Sequence, residues 1–496
     1  MDLSELKNLA WSVPQQSVIR APFHQKTVFR GPAGTGKTTA GVARMAHLLE
    51  SGVTAESVLV LVPQRTLADP FYRILRDPGL AVGGVPNIAT VGGLAQRMVD
   101  LFWPLVDQEA GFADPNKRPV FLTLETAQYY MARIVTPRIE VSGYFESITI
   151  DRNRLYSQII DNLNKAAVVG FPITEIAQRL AGAWVGEQAH NRVYEHAQEC
   201  AVAFRHYCLE HNLLDFSLQT EVFFKHLWPE PLCRNYLVDT YHHLIYENIE
   251  EDTPVAHDMV IDMLKTLEST LLIYDEDAGY RQFLGADPRG SLMLADLCDV
   301  QVKATESFVI SPAMARFGDA LAQVLEQPND SNSPGTMDFA AHVNPADDVD
   351  FNLADALKFE YHRYHPQMLD WVTEEIVMQV HNRGVKPGDI VIIAPFLSDA
   401  LRFSLAHRFA QVGIPVQSHR PSRALRDEPA TQTMLTLAAL AHPQWGLTPS
   451  SYDVTFTLMH AIASLDLVRA QLLTESLYRV NQGAAVLLPF DTINPE

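Results

Sequence analysis

The sequence is short of cysteine, of long apolar runs and of positive charge, and each shortage excludes something. Only four cysteines occur in 496 residues (Cys200, Cys208, Cys233 and Cys298), with no Cys-x-x-Cys pair and no histidines at zinc-finger spacing. That scatter predicts free thiols in a reducing cytoplasm rather than a disulfide framework or a metal cluster. The longest apolar runs, such as Val58–Pro63 and Ile390–Pro395, are strand-sized and far below the ~18 residues of a membrane span. The N-terminus, Met-Asp-Leu-Ser-Glu, has neither the positive start nor the apolar core of a signal peptide. No membrane partner is expected. Lys and Arg number 38 against 59 Asp and Glu, a formal charge of −21. A nucleic acid would therefore have to be met by a local groove rather than by the whole surface. What is present suffices for folding: 47% apolar and 20% charged residues, enough for about three domains at ~150 residues each.

The first hundred residues alternate strand-like and helical patterns. Lys26–Arg30 reads as a strand, Thr38–Glu50 as a helix, and Ser57–Pro63 as a strand buried on both faces. Strand, helix, strand at this spacing is a βαβ unit, which predicts a parallel sheet. Strand signals then vanish over residues 101–211. Within that stretch Arg154–Val169 puts Leu155, Ile159, Ile160, Leu163 and Ala167 on one face and stops at Gly170, and Val193–Leu209 is similarly helical. Strand-like runs resume at His242–Tyr246 and Ser269–Tyr274.

The organisation expected is an α/β first domain in two parts, 1–100 and 212–327, around an all-helical insertion at 101–211. A linker follows at 328–354, marked by the Pro, Asn, Asp and Ser of Pro328–Asp348. A second α/β segment is expected at 355–440, with Trp371–Gly384 and Ala400–Gln411 helical and Asp389–Pro395 and Ile414–Gln417 as strands. Residues 441–496 read as the start of a helical subdomain.

Gly31-Pro32-Ala33-Gly34-Thr35-Gly36-Lys37-Thr38 satisfies GxxxxGK[ST] between a strand and a helix. Glycines at those positions let backbone N–H groups turn around a phosphate, and the helix N-terminus adds partial positive charge. Lys37 would reach the β- and γ-phosphates, the Thr38 hydroxyl would complete a Mg²⁺ shell, and Thr39 continues the contact. Nucleotide binding is the expectation, with the domain of RecA-like P-loop type. A guanine-selective Asn-Lys-x-Asp is not found.

With these residues in view, the chain resembles the UvrD/Rep group of superfamily-1 DNA helicases over most of its length. Gln15-Gln16 followed by Ala21-Pro22 is similar to that family's adenine-reading motif, with Gln16 at the usual distance from Lys37. Gln64-Arg65-Thr66 after the Val58–Pro63 strand, and Thr90-Val-Gly-Gly-Leu-Ala-Gln-Arg97, resemble two segments that touch the DNA strand. Gly92 stands where the family has His. Leu214-Asp215-Phe216 resembles the Met-Asp-Phe signature, although Asp215 alone is equally a helix cap. Phe283, within Tyr274–Ala286, occupies the place of an aromatic ring that stacks on a base, or is ordinary core.

The resemblance also has gaps. Where the family reads Val-Asp-Glu-x-Gln-Asp, this chain has Tyr246-Glu247-Asn248-Ile249-Glu250-Glu251. Glu247 could hold Mg²⁺, but the amide of Asn248 cannot take a proton from an attacking water. Glu250, Glu251 or Asp252 could substitute only in a redrawn loop. The phosphate-sensing Gln is Ala278, the neighbouring Arg is Leu284, the Asn-Tyr-Arg-Ser element is Ser307–Pro312, and Pro395 stands at the arginine-finger position.

The resemblance implies ATP and Mg²⁺ as cofactors, single-stranded or partly duplex DNA as partner, and a role in repair or recombination. The catalytic residues implied are Lys37 and Glu247, the metal residues Thr38 and Glu247, and the DNA contacts Gln64, Arg65, Thr90 and Phe283. Three readings stay open: a motor, a helicase-like subunit of AddB type that binds ATP beside a motor or nuclease partner without efficient hydrolysis, and a P-loop protein that does not act on DNA. The family's last two motifs are not reached by Glu496, so a piece of a longer chain is expected. His419-Arg420-Pro-Ser-Arg423-Ala-Leu-Arg426 is the densest basic loop, read equally as a phosphate contact or a solvated loop. His242-His243 is not read as a metal pair, because neighbours on a strand face opposite ways.

Overall fold

A run such as Val58-Leu-Val-Leu61 has no polar side to offer water, so it must be covered on both faces. In the computed structural model, which describes residues 3–80, 84–186, 191–276, 278–326, 357–418, 428–481 and 484–489, all four of its side chains are fully buried. The run is β2 of a six-stranded sheet. The other strands are β1 (Lys26–Gly31), β3 (Asn87–Ala89), β6 (His243–Tyr246), β7 (Ser269–Asp275) and β8 (Val300–Lys303). Their order is β3-β2-β6-β7-β1-β8, and every neighbouring pair is parallel. Alternation along β2 sorts its residues between two layers. Val58 and Val60 join Met45, Leu48, Phe71 and Ile74 on one face, whereas Leu59 and Leu61 join Leu94, Met98 and Leu244 on the other. The outcome is a parallel, RecA-like α/β core. β3 and β8 extend the sheet beyond the strands legible from apolar runs.

The chain divides into two compact units, 1–351 and 352–496. In the first, a helical layer comprises Leu124–Ser142, Arg152–Val169, Ile176–Ala183 and Asn191–Glu210. A short parallel ladder, β4 (Val120–Phe121) with β5 (Leu213–Leu214), ties the chain entering these helices to the chain leaving them. The Arg152–Val169 helix is capped by the Asp151 carboxylate at its start and by Gly170 in left-handed conformation (φ 87°) at its end. Cys200, Cys208 and Cys233 are free and buried in this unit, and Cys298 is free and half-buried.

The second unit is largely helical: His365–Val377 running on through a π-turn to Asn382, then Asp399–Gln411, Pro429–Ala441, Ser451–Ala461 and Leu467–Leu477. Two strand expectations are corrected here. Residues 390–394 and 414–417 are irregular and join no strand ladder among the described residues. Val391 is 78% and Ile393 89% exposed. A parallel strand needs ladder partners on its flanks and a layer on each face, and among the described residues of this unit no such neighbours surround the run. The late residues, read as helical, also contain an antiparallel pair, Tyr478–Asn481 with Ala484–Leu487. The expected linker at 328–354 and the basic loop His419–Arg426 lie outside the described residues. No helix among the described residues is long and apolar enough to cross a membrane.

Candidate functional site

Strand register brings the site together. β1 ends at Gly31, which lies directly opposite Asp275 at the end of β7, and the next strand over, β6, ends at Tyr246, just before Glu247. Ligands of open α/β sheets bind at this carboxyl edge, where the loops splay apart. From Gly31 the chain turns through Gly34 (φ 79°) and Gly36 (φ 72°) into the helix Lys37–Glu50. Gly36 caps that helix in the left-handed region, and a Cβ on it would come within 2.5 Å of the Gln15 side-chain nitrogen. Glycine is required there by the dihedral, and a Cβ would also push the Gln15 amide aside.

Lys37 is buried inside this loop. Its ammonium donates to the carbonyls of Gly31 (2.8 Å) and Pro32 (2.6 Å) and to Thr35 Oγ1 (3.1 Å), and pairs with the Asp275 carboxylate at 2.5 Å. The Thr38 hydroxyl donates to Glu247 Oε1. Glu247 is wholly buried, its second oxygen has no hydrogen-bond partner among the described residues, and burial pushes its pKa up to about 7 against the opposing pull of the Thr38 hydrogen bond. A hydroxyl and an orphaned buried carboxylate oxygen beside a glycine-lined loop form a hard-oxygen donor set of the sort that suits Mg²⁺.

Three carboxylates crowd behind. Glu250 accepts the Asp275 backbone N–H (3.0 Å), and burial raises its pKa to about 8. Burial also raises those of Glu251 and Asp252. Between Glu247 and this group, Asn248 adopts a left-handed conformation (φ 48°) as the chain enters the short turn Ile249–Glu251.

Of the two adjacent glutamines, the structure brings Gln15 to the loop, while Gln16, expected to read adenine, lies outside it. Ser12 caps the helix Val13–Ile19 through a reciprocal box with Gln15, and the buried Gln15 amide donates to the Thr35 carbonyl at 3.1 Å. One residue further is a rotation of about 100° on a helix. Gln16 is accordingly exposed and donates instead to the Trp11 carbonyl. On the loop's other side, the Phe308 N–H donates to the Gly34 carbonyl (2.9 Å), so the Ser307–Ile310 segment rests on the loop with the Phe308 ring half-exposed.

A cavity of about 440 Å³ is lined by Val91 and Gly92 beside Thr90, by Phe216, Phe283 and Arg281, and by Lys165 of the helical layer. Phe283 is 68% exposed, which removes the core reading. Gly92 leaves room that Phe216 takes, its ring 3.1 Å from where a Cβ would stand. Thr90 caps the helix Val91–Phe102 through its hydroxyl oxygen, and Asp215 caps Phe216–Glu221 by accepting the N–H groups of Ser217 and Leu218, so both motif residues serve as helix starts. Gln64 and Arg65 are exposed at the end of β2 but do not line this cavity. Arg281 bridges the two regions by donating to the Pro63 carbonyl. His243 is held by Ser269 at 2.8 Å, and no cluster of metal-ligating side chains occurs among the described residues.

Asp275, Gln15, Phe216 and Phe308 are the residues that sequence reasoning left without a role. Asp275 had a signal, since an acidic residue closes the strand that runs beside the phosphate loop. The family model of the UvrD/REP helicase N-terminal domain matches residues 11–296, which include the whole of this arrangement except Phe308. No curated protein matches the chain.

Proposed function

The chain belongs to the UvrD/REP helicase family, and from that premise we propose that it binds Mg·ATP and single-stranded DNA as a superfamily-1 helicase-type protein of repair or recombination. The family is one of ATP-binding, nucleic-acid-binding helicases; the choice of DNA, of a single strand and of that cellular role is the proposal. The observation that carries it is the joining of Lys37, Thr38, Glu247 and Asp275 at the sheet edge, beside a groove with two exposed aromatic rings.

In this reading Lys37 exchanges its carbonyl and Asp275 contacts for phosphate oxygens. The loop N–H groups from Gly31 to Thr39 surround those oxygens, and Gln15 holds the loop in shape. Thr38 and Glu247 would hold Mg²⁺, which when bound neutralises phosphate charge. Phe283 and Phe216 offer faces on which bases stack, and Lys165 and Arg281 offer cations to the backbone.

Asn248 favours a second reading within the first, a helicase-fold subunit of AddB type that binds ATP and DNA without efficient hydrolysis. Its amide stands where the family's water-activating carboxylate would, and Glu250, one of the buried carboxylates that could substitute, is turned onto the Asp275 backbone. The test is ATP hydrolysis with and without single-stranded DNA for wild type, Lys37→Ala, Glu247→Gln and Asn248→Glu. Slow wild-type turnover that Asn248→Glu raises supports the subunit reading. Fast, strand-stimulated turnover that Asn248→Glu leaves unchanged supports a motor.

A further inference from the structure

A second cavity, about 580 Å³, adjoins the groove that holds Phe283 and shares Phe224 and Val255 with it. Its wall is apolar and aromatic: Phe171, Ile173, Phe224, Trp228, Val255 and Met259. The backbone is unusual at this wall. Val222–Leu227 is a π-helix, and the Trp228 N–H donates five residues back to the Phe223 carbonyl at 2.7 Å. A run of wide turns is uncommon and concentrates at functional positions. Here it lets Val222, Phe223 and Leu227 stay in the core while Phe224, Lys225 and Trp228 turn to the cavity.

The polar groups discriminate between occupants. The rim carries Asp258, the cation Lys225, and Glu221, which is paired with Arg205 and lies 3.8 Å from the Lys225 ammonium. The guanidiniums stacked on the wall's rings, Arg179 over Phe171 and Arg234 over Trp228, are already paired with Glu175 and Asp262. A phosphate entering would find these cations already paired and would meet the Asp258 carboxylate. A nucleobase is neutral and flat, and an exocyclic N–H group on it can donate to the Asp258 carboxylate.

We infer that this cavity takes one unstacked nucleobase from the strand lying in the adjoining groove. The inference rests on the single-strand reading of that groove. Sharing Phe224 between the two cavities places the base one step along the strand from those on Phe216 and Phe283.

The test walks a single abasic position along a single-stranded oligonucleotide bound to the full chain, with affinity read by fluorescence anisotropy. Wild type should show a position, adjacent to the one sensitive to Phe283→Ala, where losing the base costs about tenfold in affinity. Trp228→Leu and, independently, Phe171→Leu should erase the cost at that position and no other. A 2-aminopurine placed there should change its emission on binding to unmodified protein, a readout that needs no variant. An abasic profile identical in wild type and both variants, with 2-aminopurine silent at that position, overturns the inference. If Phe283→Ala still weakens binding in that case, the groove reading survives alone; if wild type binds no strand, both fall.

Discussion

Two runs of similar composition have opposite fates in this chain. Val58–Leu61 disappears into the middle of a six-stranded sheet, whereas Ile390–Ile393 carries side chains up to 89% exposed in the second unit. The residues themselves do not foretell this, since both runs are aliphatic and strand-sized and the exposed one is the more β-branched, four residues of four against two of four. What differs is company. Val58–Leu61 is hydrogen-bonded on both sides, by β3 and β6, and roofed by helices on both faces, while residues 390–394 have no ladder among the described residues. A buried parallel strand is thus a property of the whole sheet, and apolar character alone is a necessary condition for it and not a sufficient one.

The sharpest way to break this comparison is to charge both runs. Val60→Asp puts an unpaired carboxylate into the sheet and should cost more than about 4 kcal/mol, enough to unfold the first unit in calorimetry. A folded Val60→Asp protein with wild-type melting would remove the premise that the sheet is the core. Next in size, Asp215→Ala removes a cap that accepts two backbone N–H groups and the Ser217 hydroxyl, and should lower the denaturant midpoint by the equivalent of about 1–2 kcal/mol. Without such a loss, the residue would owe its place to strand contact alone.

A smaller effect comes from pH. Burial lifts Glu247 to about 7 and Glu250 to about 8 from an ordinary 4.5, so across this window the folded state holds protons that the unfolded chain releases. The nucleotide-free protein should therefore lose stability as pH rises from about 5 toward 8, with the loss flattening above the folded values. Glu250→Gln should shallow that slope, checked by denaturant midpoints at several pH values. The smallest change is expected from Ile393→Asp, within about 0.5 kcal/mol, because its side chain already faces solvent. A cost near that of Val60→Asp would mean the run is covered after all.

The same contrast explains what was legible in the sequence. The phosphate loop could be read because its chemistry is local: strand, glycines, lysine and helix within a dozen residues. The helix Arg152–Val169 could be read because period and cap agree. Asp275 was harder, since its pairing with Lys37 depends on two distant strands lying side by side. Gln15 and Gln16 differ by one helical position, and the Ser12 cap, rather than distance from Lys37, decides which faces the loop. The strands expected at Asp389–Pro395 and Ile414–Gln417 were read from apolarity, the one signal that does not report whether a partner is present.

The central claim is that Lys37, freed from Asp275 and the loop carbonyls, holds the phosphates of a nucleotide. Equilibrium titration of a fluorescent ATP analogue with Mg²⁺ tests it most directly, on wild type and Lys37→Ala with folding checked by circular dichroism. The account predicts saturable binding that Lys37→Ala weakens by about ten- to a hundredfold, the loss of charge-assisted bonds to phosphate. Equal affinity in the two folded proteins would contradict it.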